Sequence, residues 1–270
     1  MEEYKKHLEN KKKEHLEIIK SDEYRNEVER LRKIVYDFVS VLSNCTLFSS
    51  RAKSFQDNCL FIRSIDDILQ SAVGIQVLLM EGMNNSARRE FRYLLELSIK
   101  ALYVDQQIPK ETYENKLEFL DKRVSNTSIS MINDTRIYLI KPESEDDFKL
   151  EAKRAYGYSS KYIHPTIHQI NERIAQIANG VYVGFETHNE FKIANDELRK
   201  IFALILVFAF NAIGGDFTGD MFVGYLDTMK DWEYHKSRFI SEIDASYDYK
   251  VERKDEIEEL NRFRSNTVFY

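Results

Sequence analysis

The sequence predicts an all-α protein, a multi-helix bundle of about ten helices that starts with a long charged N-terminal helix. Proline and glycine are scarce, with 3 and 9 residues in a chain of 270, which favours long helices over a sheet with many turns. Apolar residues recur at helical spacing through most of the chain. Only "VYVGFETHNE", from Val181 onward, alternates as a short extended segment or loop would.

The composition limits the kinds of protein to consider. With 43% hydrophobic residues the chain can form a full core, as one large domain or two closely packed ones. A duplex-binding surface is usually basic, so the net charge of −6 argues against general duplex DNA binding. The two cysteines, Cys45 and Cys59, are too few for a disulfide framework, and we expect them to be reduced core residues of a cytoplasmic protein.

No segment is expected to target or cross a membrane. The first 20 residues are charged and lack the apolar stretch of a signal peptide. The longest apolar run begins at Ile201, and its roughly ten unbroken apolar residues fall short of a membrane span. This run is therefore predicted to be a helix buried on all sides.

Residues 1–50 are predicted to form the charged N-terminal helices. Lysine and glutamate at helical spacing indicate an exposed helix over 2–20. Ser21 can cap a second helix, because Asp22 and Glu23 follow in the first turn, where the helix dipole favours acids.

Residues 51–245 are predicted to form the bundle core, and 246–270 a C-terminal helix and tail. A helix over 52–82, with Val73, Val77 and Met80 on its buried face, should form an antiparallel hairpin with a helix over 86–106. The tail that ends at Tyr270 is apolar and should dock. The other predicted helices span 109–124, 127–140, 144–163, 165–178, 188–213, 218–245 and 250–264.

A corner between two predicted helices, "YGYSSKYIHPTIHQI" at 156–170, concentrates polar and aromatic side chains. His164 precedes Pro165 and so lies at a helix start, where unpaired backbone N–H groups favour an anion. An imidazole there could serve as general acid or base, because the ordinary pKa of histidine lies near neutrality. The same pattern also fits a structural corner, in which His164 caps the turn and Tyr156 and Tyr158 pack.

A polar stripe runs along the predicted helix over 86–106. Arg89, Arg92, Glu96 and Lys100 recur at helical spacing, and Arg92 and Glu96 form an i,i+4 pair. If the stripe faces solvent, the pair contributes little to stability. If it faces the bundle interior, it forms a buried ionic network of the kind found at functional sites.

Metal and cofactor motifs are weak or absent. His164, His168 and Glu172 would share one helix face, and with Glu96 they form the only metal set that the sequence offers. We expect no metal and no cofactor. "IGGDFTGD" lacks a preceding strand and a Lys-Ser pair, so it is predicted to be a turn between helices and not a phosphate loop.

Two segments carry a resemblance. "GMNNSARREFRYLLELSIKALYVDQ" resembles the Arg-x-Leu-Leu-Glu helix of bacterial helical families related to the HEPN superfamily, and the corner resembles their later Ser-x-x-(Tyr/Val)-His-Pro segment. The resemblance implies a helical bundle. It also implies a role in a bacterial defence or toxin–antitoxin system, as a ribonuclease, often dimeric, or as a binder of RNA or nucleotides.

The HEPN signature of Arg, four to six residues and His is absent. The nearest arginine before His164 is Arg154, with nine residues between them. If the chain is an enzyme, the resemblance implies a metal-independent ribonuclease with His164 as acid or base and Arg92 in place of the missing arginine. The substrate-binding residues would be Arg154, Lys161, Tyr156, Tyr158, Arg89 and Glu96.

The alternative is a non-enzymatic interaction module. The charged N-terminal helix and the polar helix over 250–264 would then bind a cognate protein or a second copy of the chain. Such a module should expose an apolar patch near one of its termini, whereas the first hypothesis requires Arg92 and His164 to converge in a cleft.

Overall fold

Two helices open the chain, α1 Glu2–Ile18 and α2 Asp22–Ser49. They belong to a computed structural model that describes residues 2–124, 129–163, 166–178, 184 and 186–270, without the side chains of residues 3, 4 and 168. The Ser21 hydroxyl accepts a hydrogen bond from the Tyr24 N–H at 3.2 Å, so the predicted cap is confirmed. Over the described residues the chain is 81% helical and contains no strand, which confirms the all-α fold class.

The prediction of a single helix over 52–82 is wrong. The segment forms three helices, α3 Lys53–Asn58, α4 Leu60–Arg63 and α5 Ile65–Met80. The break follows from Asp105, whose carboxylate accepts hydrogen bonds from the N–H groups of Leu60 at 2.8 Å and Phe61 at 2.9 Å. This carboxylate from another helix caps α4 and stops α3 from continuing.

The break also changes which face of α5 is buried. Ile75 and Leu79 are in the core, whereas Val73, Val77 and Met80, which were predicted to be buried, are exposed. The periodicity of α5 is compatible with either face, because apolar residues occur all around the helix.

The next helix, α6 Asn84–Gln107, follows a turn at Gly82, where φ is 67°. It packs beside α5, as predicted. Its predicted seam is confirmed, because every member is buried: Phe91, Leu94, Leu95, Ser98, Ile99 and Leu102.

The middle of the chain contains less α-helix than predicted. The predicted helix over 109–124 is confined to α7 Tyr113–Phe119 and a π-helical turn at Leu120–Val124. The first two residues of the one predicted over 127–140 lie outside the described ranges, and the rest of it contains a 3-10 turn at Ile129–Asp134 in place of an α-helix. The next two helices lie close to their predicted bounds: α8 Pro142–Ser160 and α9 Ile167–Ala178.

The central helix of the core is α10 His188–Ile213, at its predicted bounds. It packs against α2 and α6, and Phe38 stacks on Phe202 with ring centres 3.8 Å apart. The apolar run from Ile201 to Ile213 is buried throughout, as predicted. No single helix in the described ranges is long and apolar enough to cross a membrane.

The prediction of one long helix over 218–245 is also wrong. Two helices, α11 Gly215–Gly224 and α12 Arg238–Ala245, flank two short 3-10 turns. Side chain and backbone groups of α2 hold this connection: Asp37 accepts from the Glu233 N–H at 2.8 Å, and the Tyr234 hydroxyl donates to the Ile34 carbonyl at 2.8 Å. These tertiary hydrogen bonds replace the intrahelical ones that a continuous helix would make.

The chain closes with a 3-10 turn at Val251–Arg253 and α13 Ile257–Asn266. Tyr270 docks: its N–H donates to the Lys236 carbonyl and its carbonyl accepts from the Arg238 N–H, both at 3.0 Å. The Arg199 guanidinium lies 4.0 Å from the centre of the Tyr270 ring. Val268 is exposed, so docking of the predicted tail rests on its last residue.

Candidate functional site

The two segments that carry the resemblance are in direct contact. On α6, the Arg92 Nη2 donates a hydrogen bond to the Tyr156 hydroxyl of α8 at 2.7 Å, and the guanidinium lies 4.8 Å from the centre of the Tyr156 ring. One turn earlier, the Arg89 Nε donates to the Tyr162 carbonyl at 3.0 Å. The polar stripe of α6 therefore faces the corner that follows α8.

Arg88 lies at the centre of this contact and is almost fully buried. Its Nε and Nη2 donate to the two carboxylate oxygens of Glu197 on α10, both at 3.0 Å. Its guanidinium also lies over the rings of Tyr162 at 4.8 Å and Tyr158 at 5.6 Å. Burial disfavours the charged form, but Glu197 outweighs it and raises the pKa of Arg88, so the guanidinium stays charged.

The tyrosine hydroxyls extend the network to α9. Tyr158 donates to Glu197 at 3.2 Å, and Tyr162 donates to Glu172 at 3.0 Å. The Glu172 carboxylate also lies 3.6 Å from Arg88. Burial raises the pKa of both tyrosines, so their hydroxyls remain protonated donors at neutral pH.

A second chain of charges runs along α6. Arg92 pairs with Glu96 at 3.3 Å, and Glu96 pairs with Lys100 at 2.7 Å. The side chains of Arg92 and Glu96 are 27% and 25% exposed, so the stripe is partly enclosed. It lies between the solvent-facing pair and the buried network that the sequence allowed. The buried Arg92 Nε makes no hydrogen bond to any described residue.

Most of the predicted binding residues therefore come together in one place. Arg89, Arg92, Tyr156 and Tyr158 lie at the α6–α8 contact, and Glu96 pairs with Arg92 beside it. The Lys161 Nζ lies 5.6 Å from the centre of the Tyr158 ring.

The other predicted site residues lie elsewhere or outside the description. Arg154 is on the exposed face of α8 and pairs with Glu151 at 2.7 Å. His164 and the side chain of His168 fall outside the described part of the chain. The predicted convergence of Arg92 and His164 therefore stays a prediction.

Sequence reasoning missed Arg88 and Glu197. A signal for Arg88 was available, because it starts an i,i+4 series through Arg92 and Glu96 to Lys100. Glu197 carries no such signal, since nothing in the local pattern of α10 distinguishes it from the other charged residues before the apolar run.

The described residues contain no group of three or more His, Cys, Asp or Glu side chains placed to hold a metal ion. Both carboxylates of the predicted metal set have other partners. Glu96 pairs with Arg92 and Lys100, and Glu172 accepts from Tyr162.

No family model, no curated protein and no solved structure matches the chain.

Proposed function

We propose that the α6–α8 corner binds phosphate groups of RNA or of a nucleotide, and that the protein is a HEPN-like component of a bacterial defence or toxin–antitoxin system. One observation carries the proposal. The arginine-rich helix and the Tyr-Ile-His-Pro corner, which resemble that superfamily separately in sequence, meet through the Arg92–Tyr156 and Arg89–Tyr162 hydrogen bonds.

Among the described residues of the corner, two cations are exposed and have no carboxylate partner, whereas two others are held by carboxylates. Arg88 is bonded to Glu197, and Arg92 is bonded to Tyr156 and Glu96. Arg89 and Lys161 are exposed. These two side chains would provide the first positive charge that an approaching phosphate encounters.

Arg89 is oriented for a phosphate. Its Nε donates to the Tyr162 carbonyl, which fixes the guanidinium plane, and its two terminal nitrogens have no hydrogen-bond partner among the described residues. A guanidinium held in this way can donate two parallel hydrogen bonds to a phosphate, which a lysine cannot do. Arg89 is therefore the phosphate-binding residue of the proposal, and Arg92 positions Tyr156.

In the catalytic form of the proposal, His164 acts as the general acid or base. It follows Tyr162 by two residues, and the carbonyl of Tyr162 is the group that anchors Arg89. Cleavage would need no metal, because Arg89 would stabilise the charge on the phosphate while the His164 imidazole transfers the proton.

The test compares two exposed arginines. Binding of a fluorescein-labelled single-stranded RNA and of a fluorescent ATP analogue is measured by anisotropy for the wild type, Arg89→Ala and Arg154→Ala. A lost bidentate phosphate contact is worth about 2 kcal/mol, so Arg89→Ala should weaken binding about thirtyfold. Arg154→Ala removes the same charge from the nearby face of α8 and should change binding less than about threefold.

Other outcomes decide between forms of the proposal. Equal losses in the two variants, or no binding by the wild type, would overturn the phosphate site. For cleavage, His164→Ala should keep RNA binding and abolish hydrolysis. Retained hydrolysis in that variant would remove His164 from the proposed mechanism.

A second candidate function is a non-enzymatic interaction module. It is supported by an exposed apolar face on α9, next to the corner, and by the carboxylates that already occupy Arg88 and Arg92. Wild-type protein that binds neither probe but self-associates would favour this candidate.

A further inference from the structure

Helix α9 presents its apolar face outward. Its four isoleucines are exposed, with fractions of 78% for Ile167, 53% for Ile170, 60% for Ile174 and 46% for Ile177. A surface helix of a globular protein normally buries such a stripe against the core. A contiguous exposed apolar stripe of this kind marks an interaction surface.

The orientation of α9 is determined by its polar face. Glu172 lies on the side of the helix opposite Ile170 and Ile174, and its carboxylate accepts from the buried Tyr162 hydroxyl at 3.0 Å and lies 3.6 Å from buried Arg88. Rotating α9 to bury the isoleucines would separate Glu172 from both partners and leave Arg88 and Tyr162 without it. The body of the protein therefore favours the outward position of the stripe.

The stripe has the spacing of a helix–helix seam. The isoleucines follow i, i+3, i+7 and i+10, the repeat of the a and d positions of a coiled coil. Between and beside them lie Asn171, Ala175 and Ala178, which are also exposed. These side chains are small and uncharged, so two copies of the face can approach closely without repulsion between like charges.

The two ends of α9 differ in charge. The corner before its first residue carries exposed Arg89 and Lys161. Beside its second half, a cavity of about 150 Å³ is lined by Glu186 and Glu190 together with Arg173 of α9. Antiparallel pairing of two copies would place the cationic corner of each protomer beside the end of the other α9 at which the partly exposed Glu190 lies. Parallel pairing would place the two cationic corners together.

We propose that a second copy of this chain covers the face, with α9 packed antiparallel against α9 of the partner subunit around a two-fold axis. This inference deepens the second candidate function, on which it rests. Ile170 would face Ile174 of the partner subunit, and the two corners would lie about 18 Å apart along the seam, the length of the helix.

The size of the face limits the strength of this contact. A stable dimer usually buries about 800 Å² on each partner, which is more than one helix of 12 residues offers. The contact must then extend to neighbouring surface such as exposed Met83, which lines the same cavity as Arg173. The expected dimer is accordingly a reversible one with a Kd in the micromolar range.

Sedimentation velocity of the full chain tests the proposal. Its range of about 1 to 100 µM is centred on an expected Kd of about 10 µM. The wild type should shift toward twice its 32.0 kDa mass as concentration rises. Ile170→Glu/Ile174→Glu should raise the Kd at least thirtyfold, as loss of interface anchors does. Val251→Glu, which replaces another exposed apolar residue far along the chain, should leave the Kd unchanged. Circular dichroism of both variants should match the wild type.

Engineered cysteines test the direction of pairing, because Cys45 and Cys59 are both buried and will not compete. Under mild oxidation, a mixture of Ile167→Cys and Ile177→Cys chains should yield a disulfide-linked heterodimer, whereas Ile167→Cys alone should remain uncrosslinked. Efficient crosslinking of Ile167→Cys with itself would overturn the antiparallel arrangement.

A wild type that stays monomeric throughout, or a Kd equally affected by Val251→Glu, would overturn self-association through α9. RNA binding of Ile170→Glu/Ile174→Glu is measured in parallel, with Arg89 and Lys161 intact. The phosphate site and the self-association surface can therefore fail separately.

Discussion

Arg88 and Glu197 form a two-pronged ion pair that joins α6 to α10, with both nitrogen–oxygen distances at 3.0 Å. The pair is largely enclosed, with 9% of the arginine and 24% of the glutamate side chain exposed. Because the same guanidinium lies against Tyr158 and Tyr162, the pair also positions the corner after α8. The arrangement of the candidate site thus depends on this ion pair. The two Arg88 nitrogens that face Glu197 are both occupied by its carboxylate oxygens.

Removing one partner of this pair should destabilise the fold strongly. Arg88→Met leaves the largely enclosed Glu197 carboxylate with the Tyr158 hydroxyl as its one remaining partner among the described residues, and we expect a loss of about 3 kcal/mol in the free energy of unfolding. Urea denaturation measures it. Arg88→Met/Glu197→Met should recover most of the loss, because it removes both charges. A double variant as unstable as the single one would show that packing, and not the unpaired charge, dominates.

Asp105 should be equally sensitive, since four donors converge on its carboxylate, one of them the Cys59 thiol at 3.2 Å. It caps α4 through the Leu60 and Phe61 N–H groups and pairs with the buried Lys116 at 2.8 Å. Asp105→Ala is expected to cost about 3 kcal/mol, because it removes a cap and leaves the buried Lys116 ammonium without its carboxylate, bonded to the neutral Asn58 carbonyl. Chemical denaturation gives the cost, and hydrogen exchange at Leu60 and Phe61 should accelerate.

The half-exposed Asp57 provides the matched control. It pairs with Arg63 at 3.4 Å on the surface, and both side chains are nearly half exposed. Asp57→Ala should therefore change the free energy of unfolding by less than about 1 kcal/mol. Equal costs for Asp57→Ala and Asp105→Ala would mean that the capping contact contributes nothing beyond a surface charge.

The helices that were predicted well are those whose ends are encoded locally. Ser21 caps α2, and α10 begins with a capping box in which Thr187 and Glu190 bond each other's backbone N–H groups. The errors occur where a distant residue supplies the signal. Asp105 breaks the helix at Cys59, and Asp37 holds the segment at Glu233, so no local pattern could place these ends.

The candidate site was predictable to a similar extent. The corner and the α6 stripe could be identified because their polar and aromatic residues cluster in the sequence. Glu197 could not, since its role arises only when α10 packs against α6. The outward face of α9 was also unpredictable, because a stripe of isoleucines normally indicates burial, and its orientation depends on Glu172 reaching Tyr162 and Arg88.

Two glycines should respond in opposite directions to the same substitution. A Cβ at Gly219 would lie 2.6 Å from the buried Tyr247 ring, so Gly219→Ala must displace that ring and should cost about 2 kcal/mol. Gly74 lies within α5, with nothing within 4 Å of an added Cβ. Gly74→Ala should stabilise the protein by about 0.5–1 kcal/mol.

Thermal and urea denaturation of the two alanine variants check both signs together. If Gly219→Ala is as stable as the wild type, Tyr247 is free to move, and its hydrogen bond to the Gly215 carbonyl at 2.9 Å does not hold the ring. If Gly74→Ala is destabilising, the exposed face of α5 meets a partner that the single chain lacks.

His235 should make the protein less stable in mild acid. Burial lowers the pKa of His235 below its ordinary value of 6.5, although the Met229 carbonyl and the nearby Asp244 and Asp227 oppose this shift. The unfolded chain therefore binds the proton more readily than the folded one. Stability should be full above about pH 7 and should decrease as the pH falls through 6.5 toward the folded-state pKa.

The measurement is the free energy of unfolding by urea between pH 7.5 and 5.5, for the wild type and for His235→Gln. Glutamine can still donate to the Met229 carbonyl, now 3.0 Å from the imidazole Nε2, but does not titrate. Burial also lowers the pKa of His15 and raises that of Glu186, so the wild-type curve alone is a sum of several groups. The difference between the two proteins isolates His235 and should shrink as the pH falls. A difference that is independent of pH would mean that this imidazole takes up its proton as readily folded as unfolded.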